Sequence, residues 1–231
     1  YVKRVIELAL AGEVDATVTN ALSKEAINMA GHHFSGHTEI YAHYTNTDKY
    51  TMMLAHEDLR VVHVSTHVSL REACDRVKKP RVLEVIRIAD AGCRALGIEK
   101  PRVAVAGLNP HCGENGDCGR EEIDVIKPAI EWAQKEGINA MGPFPSDIVF
   151  HKALVKKEFD GVVTMYHDQG QIALKLIGFE GGITVAGGFP IPIVTCGHGT
   201  AYDIAGKGIV TTASFENAVK QCSTMAAVSA K

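Results

Sequence analysis

The fold is decided by the stretch Arg102-Val103-Ala104-Val105-Ala106-Gly107, a short apolar run between a long helical pattern and a glycine-rich loop. Its length and its bounding turn residues predict a buried strand. Strand-like and helix-like patterns alternate on both sides of it: strands at 15–20, 59–66 and 160–166, helices at 23–30, 80–96, 121–136 and 215–227. This alternation predicts an α/β layered fold with a largely parallel sheet.

The composition narrows the class of protein. The chain has 231 residues, with 24 Lys+Arg against 27 Asp+Glu and a formal net charge of −3. That length suits one large or two modest domains, and the charge balance gives no footprint for nucleic acid. No apolar run approaches the ~18 residues of a membrane span, and no signal-peptide pattern opens the chain. Six scattered cysteines without a CxxC pair indicate reduced thiols. We therefore expect a cytoplasmic protein that binds neither nucleic acid nor membrane.

Three histidines follow strand-like runs directly: His67, His111 and His167. In open α/β sheets, ligand sites lie beyond the carboxyl ends of the strands. Three imidazoles from three strands can converge on one divalent metal, and a site with three protein ligands keeps a position open for catalysis. The alternative for each histidine alone is an ordinary role in a loop or in the core.

Polar residues near these histidines extend the candidate site. Asp168 and Gln169 directly follow His167, and Lys175 stands alone in an apolar run as a candidate for anion binding or proton transfer, or simply as a lysine reaching solvent. The segment 35–39 offers donors suited to phosphate or carboxylate. Residues 197–208 form a second glycine-rich loop, but neither a G-x-G-x-x-G fingerprint nor a P-loop is present.

Together these motifs resemble the 4-hydroxythreonine-4-phosphate dehydrogenase family of vitamin B6 biosynthesis. The resembling segments follow the family's order along nearly the whole chain: Gly36-His37-Thr38-Glu39, Ser65-Thr66-His67, Gly107-Leu108-Asn109-Pro110-His111 with Gly113-Glu114, Gly142-Pro143 with Asp147, Tyr166-His167-Asp168-Gln169-Gly170, and His198-Gly199-Thr200-Ala201. The loop from His198 to Gly208 also resembles the adenosine-binding loop of isopropylmalate and isocitrate dehydrogenases, which bind NAD without the usual fingerprint.

The resemblance implies a fold and an activity. The fold is a three-layer α/β/α architecture like that of isopropylmalate and isocitrate dehydrogenases. Residues 1–231 would form most of a two-lobed enzyme whose lobe boundary the sequence does not resolve, and we expect the family's N-terminal part to be missing from this chain. The activity is oxidation of a 3-hydroxy acid by NAD or NADP with one divalent metal (Zn, Co or Mg), followed by loss of CO2. Family members are homodimers whose site is completed across the interface, so one histidine can act in the partner's site.

The resemblance also implies roles for individual residues. The metal ligands match His67, His111 and His167, and the substrate contacts match His37, Thr38 and Lys175. The cofactor loop matches His198, Gly199, Thr200, Ala201 and Asp203. A base must take the hydroxyl proton, and the sequence leaves three candidates unranked: Asp147, Asp168 and Lys175.

Two departures affect the substrate. Thr184 and Ile193 stand where the family carries an asparagine and an arginine, and isoleucine cannot replace a bidentate anion clamp. The segments 65–67 and 113–116 resemble the branch that acts on threonate or erythronate 4-phosphate. The lost arginine and Gly197 resemble relatives that act on aromatic cis-dihydrodiol carboxylates. Two other classes stay open: a non-enzymatic metabolite-binding relative and a metal-dependent hydrolase.

Overall fold

The computed structural model describes residues 1–178 and 180–230. Its helices are α1 (Val2–Leu10), α2 (Lys24–Met29), α3 (His37–Thr45), α4 (Leu70–Arg76), α5 (Lys79–Ala95), α6 (Lys127–Lys135), α7 (Ser146–Leu154), α8 (His167–Ile177) and α9 (Ala213–Ser229). Its strands are β1 (Thr17–Thr19), β2 (Thr51–His56), β3 (Leu59–His63), β4 (Val103–Ala106), β5 (Ala140–Phe144), β6 (Gly161–Thr164), β7 (Ile183–Gly187) and β8 (Ile193–Cys196). Every strand and helix expected from the sequence is present, at slightly different bounds, except that the first part of the helix expected at 121–136 is a π-helical segment, Glu122–Ile126.

Within the described residues the strands form one sheet in the order β1-β8-β7-β2-β3-β6-β4-β5. The pairs β1–β8, β3–β6, β6–β4 and β4–β5 are parallel, whereas β8–β7, β7–β2 and β2–β3 are antiparallel. The sheet is therefore mixed, and the expectation of a largely parallel sheet was wrong. Every antiparallel pair involves β7 or β2, two strands that the sequence analysis missed. β2 returns into β3 through a two-residue turn in which Glu57 has a φ of 50°.

Helices cover both faces of the sheet, which confirms the three-layer α/β/α architecture. On one face α5, α6 and α9 pack on the sheet through fully buried side chains such as Val85, Ile86 and Val105. Burying one such side chain stabilises the fold by ~1.5–3 kcal/mol. On the other face α7 and α8 pack on β3, β4 and β6.

The second face is covered in two parts, and the gap between them positions the site. Near β7 and β8 it is covered by α1 and α3, whose buried side chains pack with Ile193. Helix α8 lies very close to β3, because a Cβ atom added to Gly170 would lie 2.4 Å from Val61 Cγ1 and 2.6 Å from His63 Cε1. The short helix α2 borders the gap, and the Ser23 hydroxyl caps it by accepting from the N–H of Ala26.

Over the part of the chain that the structure describes, no helix combines the length and the apolar character needed to cross a membrane.

Candidate active site

A cleft of about 410 Å³ opens between α3 and α8, above the sheet. Its walls bring together side chains from distant parts of the sequence: Lys24, His37, Thr38, His67, His167, Gln171, Lys175, Thr184, Thr195 and His198. These cationic and hydrogen-bonding groups outnumber the carboxylate of Glu39, which also lines the cleft, so the cleft suits an anionic, hydroxylated ligand.

Two of the three predicted metal ligands lie next to each other at this cleft. The ring centroids of His67 and His167 are 5.6 Å apart. The Nδ1–H of His167 donates to Asp168 Oδ1 over 2.6 Å, which leaves Nε2 as the ring nitrogen not engaged with that carboxylate. Burial lowers the pKa of His67, and the positive charge of Lys24 lowers it further. A neutral imidazole oriented by a carboxylate is the form that binds metals.

A third imidazole, His63, lies beneath this pair and was missed from sequence. It is fully buried, its Nδ1 is 2.7 Å from Thr164 Oγ1, and its ring centroid is 5.8 Å from that of His167. Burial, reinforced by the two neighbouring histidines, lowers its pKa to about 3. His63 therefore stays neutral and packs under the site.

His111 behaves differently from the other two predicted ligands. It follows β4 but lies in a turn with φ 52°, its side chain is 70% exposed, and its Nδ1 is 3.7 Å from Glu114 Oε1. Among residues 1–178 and 180–230, no three His, Cys, Asp or Glu side chains are grouped closely enough to hold a metal ion. One copy of the chain thus does not assemble the three-histidine set, which stays a prediction.

The predicted substrate contacts all line the cleft. His37 begins α3, and burial lowers its pKa while Glu39 opposes that effect. Thr38 is buried beside it. Across the cleft, Lys175 Nζ donates to the carbonyl of Gly197 over 3.1 Å, and burial lowers the pKa of this lysine.

The three candidate proton acceptors are not equivalent in position. Asp147 is exposed in the first turn of α7 and does not line the cleft. Asp168 accepts from His167 and is otherwise exposed, at 73%. Lys175 is half-buried and faces the ligand space.

The predicted cofactor loop borders a second cavity of about 480 Å³. His198, Gly199, Thr200 and Ala201 line it, whereas Asp203 lies exposed in the short helix Tyr202–Ile204 just beyond. Asn20, Ala21, His198 and Gly199 line both cavities, so ligands in the two cavities would adjoin each other.

The two departures from the family pattern occupy different surroundings. Thr184 lines the cleft opposite Thr195, its partner across β7 and β8. Ile193 is 1% exposed and belongs to the apolar cluster of Ile6, Ile40 and Tyr41. The position of the absent arginine is therefore filled by core packing, which leaves Lys24 and Lys175 as the lysines of the cleft wall. Lys24 was missed because only the fold brings α2 beside α8.

Comparison with known proteins identifies the family. The family model described as "Pyridoxal phosphate biosynthetic protein PdxA" matches residues 1–222. The chain belongs to the PdxA family. The resemblance seen in the motifs is thereby confirmed.

Two relatives illustrate the breadth of this PdxA-family match. The D-threonate 4-phosphate dehydrogenase of Salmonella typhimurium is 47% identical over 219 residues, covering 95% of this chain and 67% of the relative. The 4-hydroxythreonine-4-phosphate dehydrogenase of Beijerinckia indica is 48% identical over 213 residues, covering 92% of this chain and 63% of the relative. The chain thus spans about two thirds of the length of the relatives it matches.

Solved structures of the PdxA family and its neighbours match the architecture. The 4-hydroxythreonine-4-phosphate dehydrogenase of Klebsiella pneumoniae superposes with a TM-score of 0.86 at 44% identity, over 97% of this chain and 69% of that one. The terephthalate 1,2-cis-dihydrodiol dehydrogenase of Burkholderia xenovorans gives a TM-score of 0.77 at 31% identity, over 97% of this chain and 71% of that one.

Proposed function

We propose that this chain forms most of an NAD(P)- and divalent-metal-dependent dehydrogenase that oxidises a 3-hydroxy acid, whose keto product then loses CO2. The observation that carries the proposal is the convergence of His67, His167 and Lys175 in one cleft beside the glycine-rich loop. The dehydrogenase names of relatives with 47% and 48% identity support the same reaction class.

The donor set fits a divalent metal. His67 and His167 present two adjacent imidazoles, and Asp168 fixes the ring orientation of the second. His111 would complete the set, and imidazole ligands favour zinc or cobalt over magnesium. When bound, the metal would polarise the substrate hydroxyl while NAD or NADP accepts the hydride.

The chain's own residues would bind the acid and move the proton. His37 and Thr38 at the start of α3 face Lys175 across the cleft, so an anionic substrate would lie between them. Burial lowers the pKa of Lys175, which makes its neutral amine more accessible as a proton acceptor. We propose Lys175 for that role, because Asp147 lies outside the cleft and Asp168 is engaged with His167.

A homodimer would bring the exposed His111 to the cleft of a second copy. The outer surfaces of the helices on the cleft side of the sheet support this arrangement. Ile172 and Leu176 on α8 are 61% and 82% exposed, and Ile148 on α7 is 46% exposed. Exposed large apolar side chains on helices of the same sheet face are typical of a protein–protein interface. All six cysteines are free thiols, which agrees with the cytoplasmic location that we propose.

Two substrate classes are supported by different observations. A phosphorylated four-carbon hydroxy acid is favoured by the lysines of the cleft and by the names of the relatives at 47% and 48% identity. An aromatic cis-dihydrodiol carboxylate is favoured by the loss of the family's arginine at position 193, where isoleucine is buried in the core, and by the terephthalate dihydrodiol dehydrogenase structure.

The test is NADH or NADPH formation by the full chain with Zn²⁺, Co²⁺ or Mg²⁺ and three substrates. These are threonate 4-phosphate, 4-hydroxythreonine 4-phosphate and an aromatic cis-dihydrodiol carboxylate. We expect metal-dependent reduction of the cofactor with at least one of them, and loss of that activity in Lys175→Met. Failure of all three substrates with every metal would contradict the proposed reaction. Ester or phosphate hydrolysis in its place would favour the hydrolase alternative.

A further inference from the structure

The chain after β4 follows an unusual path. All five residues from His111 to Asn115 have φ angles between 45° and 80°. Only one of the five is a glycine, so four side chains occupy the left-handed region that they ordinarily avoid. A conformation of this kind persists only where the surrounding structure holds it.

The group that holds the preceding loop is the carboxylate of Glu122. Glu122 is only 3% exposed. Its Oε1 accepts from the backbone N–H groups of Leu108 and Asn109, both over 2.7 Å, and its Oε2 accepts from Asn109 Nδ2 over 3.0 Å. Burying a carboxylate is costly unless it is hydrogen-bonded in this way.

The backbone closes tightly around this carboxylate. A Cβ atom on Gly113 would lie 2.9 Å from Glu122 Oε2, and one on Gly107 would lie 3.0 Å from Oε1. Gly107 precedes the turn and Gly113 is at its centre, so both parts of the loop rest on the same group. Glu122 also begins a π-helical segment, Glu122–Ile126, and this geometry is frequent at functional sites.

We infer that Glu122 is a positioning residue for His111: its buried carboxylate holds the left-handed turn that presents the imidazole at the surface. Glu122 contacts neither substrate nor metal in this arrangement and acts only through the loop. The inference rests on the proposed function, since the exposed His111 needs a defined position only as a ligand of the metal.

The test measures metal binding by the full chain rather than turnover. In Glu122→Gln the side-chain oxygen can still accept from Leu108 and Asn109 N–H, but the new NH2 group then faces Asn109 Nδ2, which is also a donor. Because two donors cannot hydrogen-bond to each other, we expect the turn to lose its fixed geometry. We expect Co²⁺ or Zn²⁺ affinity in titration calorimetry to fall about tenfold or more, the usual effect of losing a group that orients a metal ligand. The visible spectrum of bound Co²⁺ should change, while NAD affinity stays within about twofold because the loop at 198–201 is remote in sequence and contact. The matched control is Glu131→Gln, an exposed glutamate on α6, which should change neither affinity.

The outcomes separate this inference from the proposed function. If His111→Ala weakens metal binding and Glu122→Gln does not, the positioning role is wrong and the ligand set stands. If His111→Ala leaves metal binding intact, the proposed ligand set itself is wrong. If Glu122→Gln lowers the affinities for NAD and for metal together, Glu122 supports the fold as a whole and the specific positioning role is wrong. Should that variant not fold, Asn109→Ala replaces it. This variant removes the Asn109 Nδ2 hydrogen bonds to Glu122 Oε2 over 3.0 Å and to Glu121 Oε2 over 2.7 Å, and we expect metal affinity to fall roughly three- to tenfold or more. Unchanged metal affinity there would overturn the inference.

Discussion

The regions around His167 and His111 begin alike and end differently. Each histidine follows a buried strand of the same sheet, β6 and β4, which are neighbours. After β6 the chain enters α8 at once, and His167 is the first residue of that helix. After β4 the chain enters the left-handed turn, and His111 is left exposed. A residue that directly follows a strand is therefore predicted to lie at the edge of the sheet where that strand ends. The φ and ψ angles of the segment after the strand decide whether its side chain faces the cleft or the solvent.

The two regions are nevertheless joined by one side chain. Gln169 Nε2 donates to the carbonyl of Gly107 and to Ser146 Oγ, both over 2.8 Å, and Gln169 Oε1 accepts from the N–H of Met165. The amide thus ties the start of the His111 loop to the strand and helix that carry His167. This link holds the loop of His111 in a defined place beside α8, although His111 itself is exposed.

The largest expected effect belongs to the packed region. His167→Ala removes one of the two adjacent imidazoles proposed to bind the metal, so metal content should fall to background. Loss of the metal's stabilisation of the transition state, several kcal/mol, should lower kcat by about a thousandfold. Elemental analysis and steady-state kinetics check this, with the exposed His33→Ala as control. Full metal content in His167→Ala would place the metal elsewhere.

The second prediction concerns the pH dependence of the free energy of unfolding, to which the buried His63 beneath His67 and His167 should contribute. His63 has a pKa of about 3 in the folded protein, against an ordinary value of 6.5. Between these values the unfolded chain is protonated and the folded one is not, so stability falls as the pH falls. At pH 5 this loss amounts to about 2 kcal/mol relative to pH 7.5.

Urea unfolding of metal-free protein at the two pH values measures that difference. The gap in unfolding free energy between pH 7.5 and pH 5 should be about 2 kcal/mol smaller in His63→Leu than in the unaltered chain. His33→Leu, an exposed control, should leave the gap unchanged. An equal gap in all three proteins would mean that His63 is not held neutral by burial.

The smallest expected effect belongs to the turn. Asn115 has φ 58° and ψ 20°, a conformation that asparagine tolerates better than alanine does. Asn115→Ala should lower the free energy of unfolding by about 1 kcal/mol, and Asn115→Gly should be neutral or slightly stabilising. Urea unfolding checks both variants. Equal stability of the two would show that the left-handed geometry is not retained at this position.

Much of the fold was predictable because its signals are local. The run Val103–Ala106 between turn residues and the periodic pattern of α5 indicate a strand and a helix directly. The antiparallel β2 was missed. It pairs with β3 through the hairpin at Glu57 and with β7, which is far away in sequence. Sequence patterns do not carry such long-range pairing.

The candidate site divides in the same way. Motifs identified His67, His167 and Lys175, which the fold then brings into one cleft. Sequence reasoning did not recognise three residues of the site: His63, Lys24 and Glu122. Each belongs to a strand or helix and is not part of a distinctive motif. Their positions become informative only once the sheet and its helices are assembled.

The most direct test of the account uses two inactive variants together. If His67 of one copy and His111 of another share a metal, a dimer of His67→Ala with His111→Ala contains one complete site and one lacking both histidines. Random mixing by co-expression should then restore about a quarter of the unaltered activity and metal content, although each variant alone has neither. A mixture that stays as inactive and as metal-free as its components would contradict a site shared between two copies of this chain.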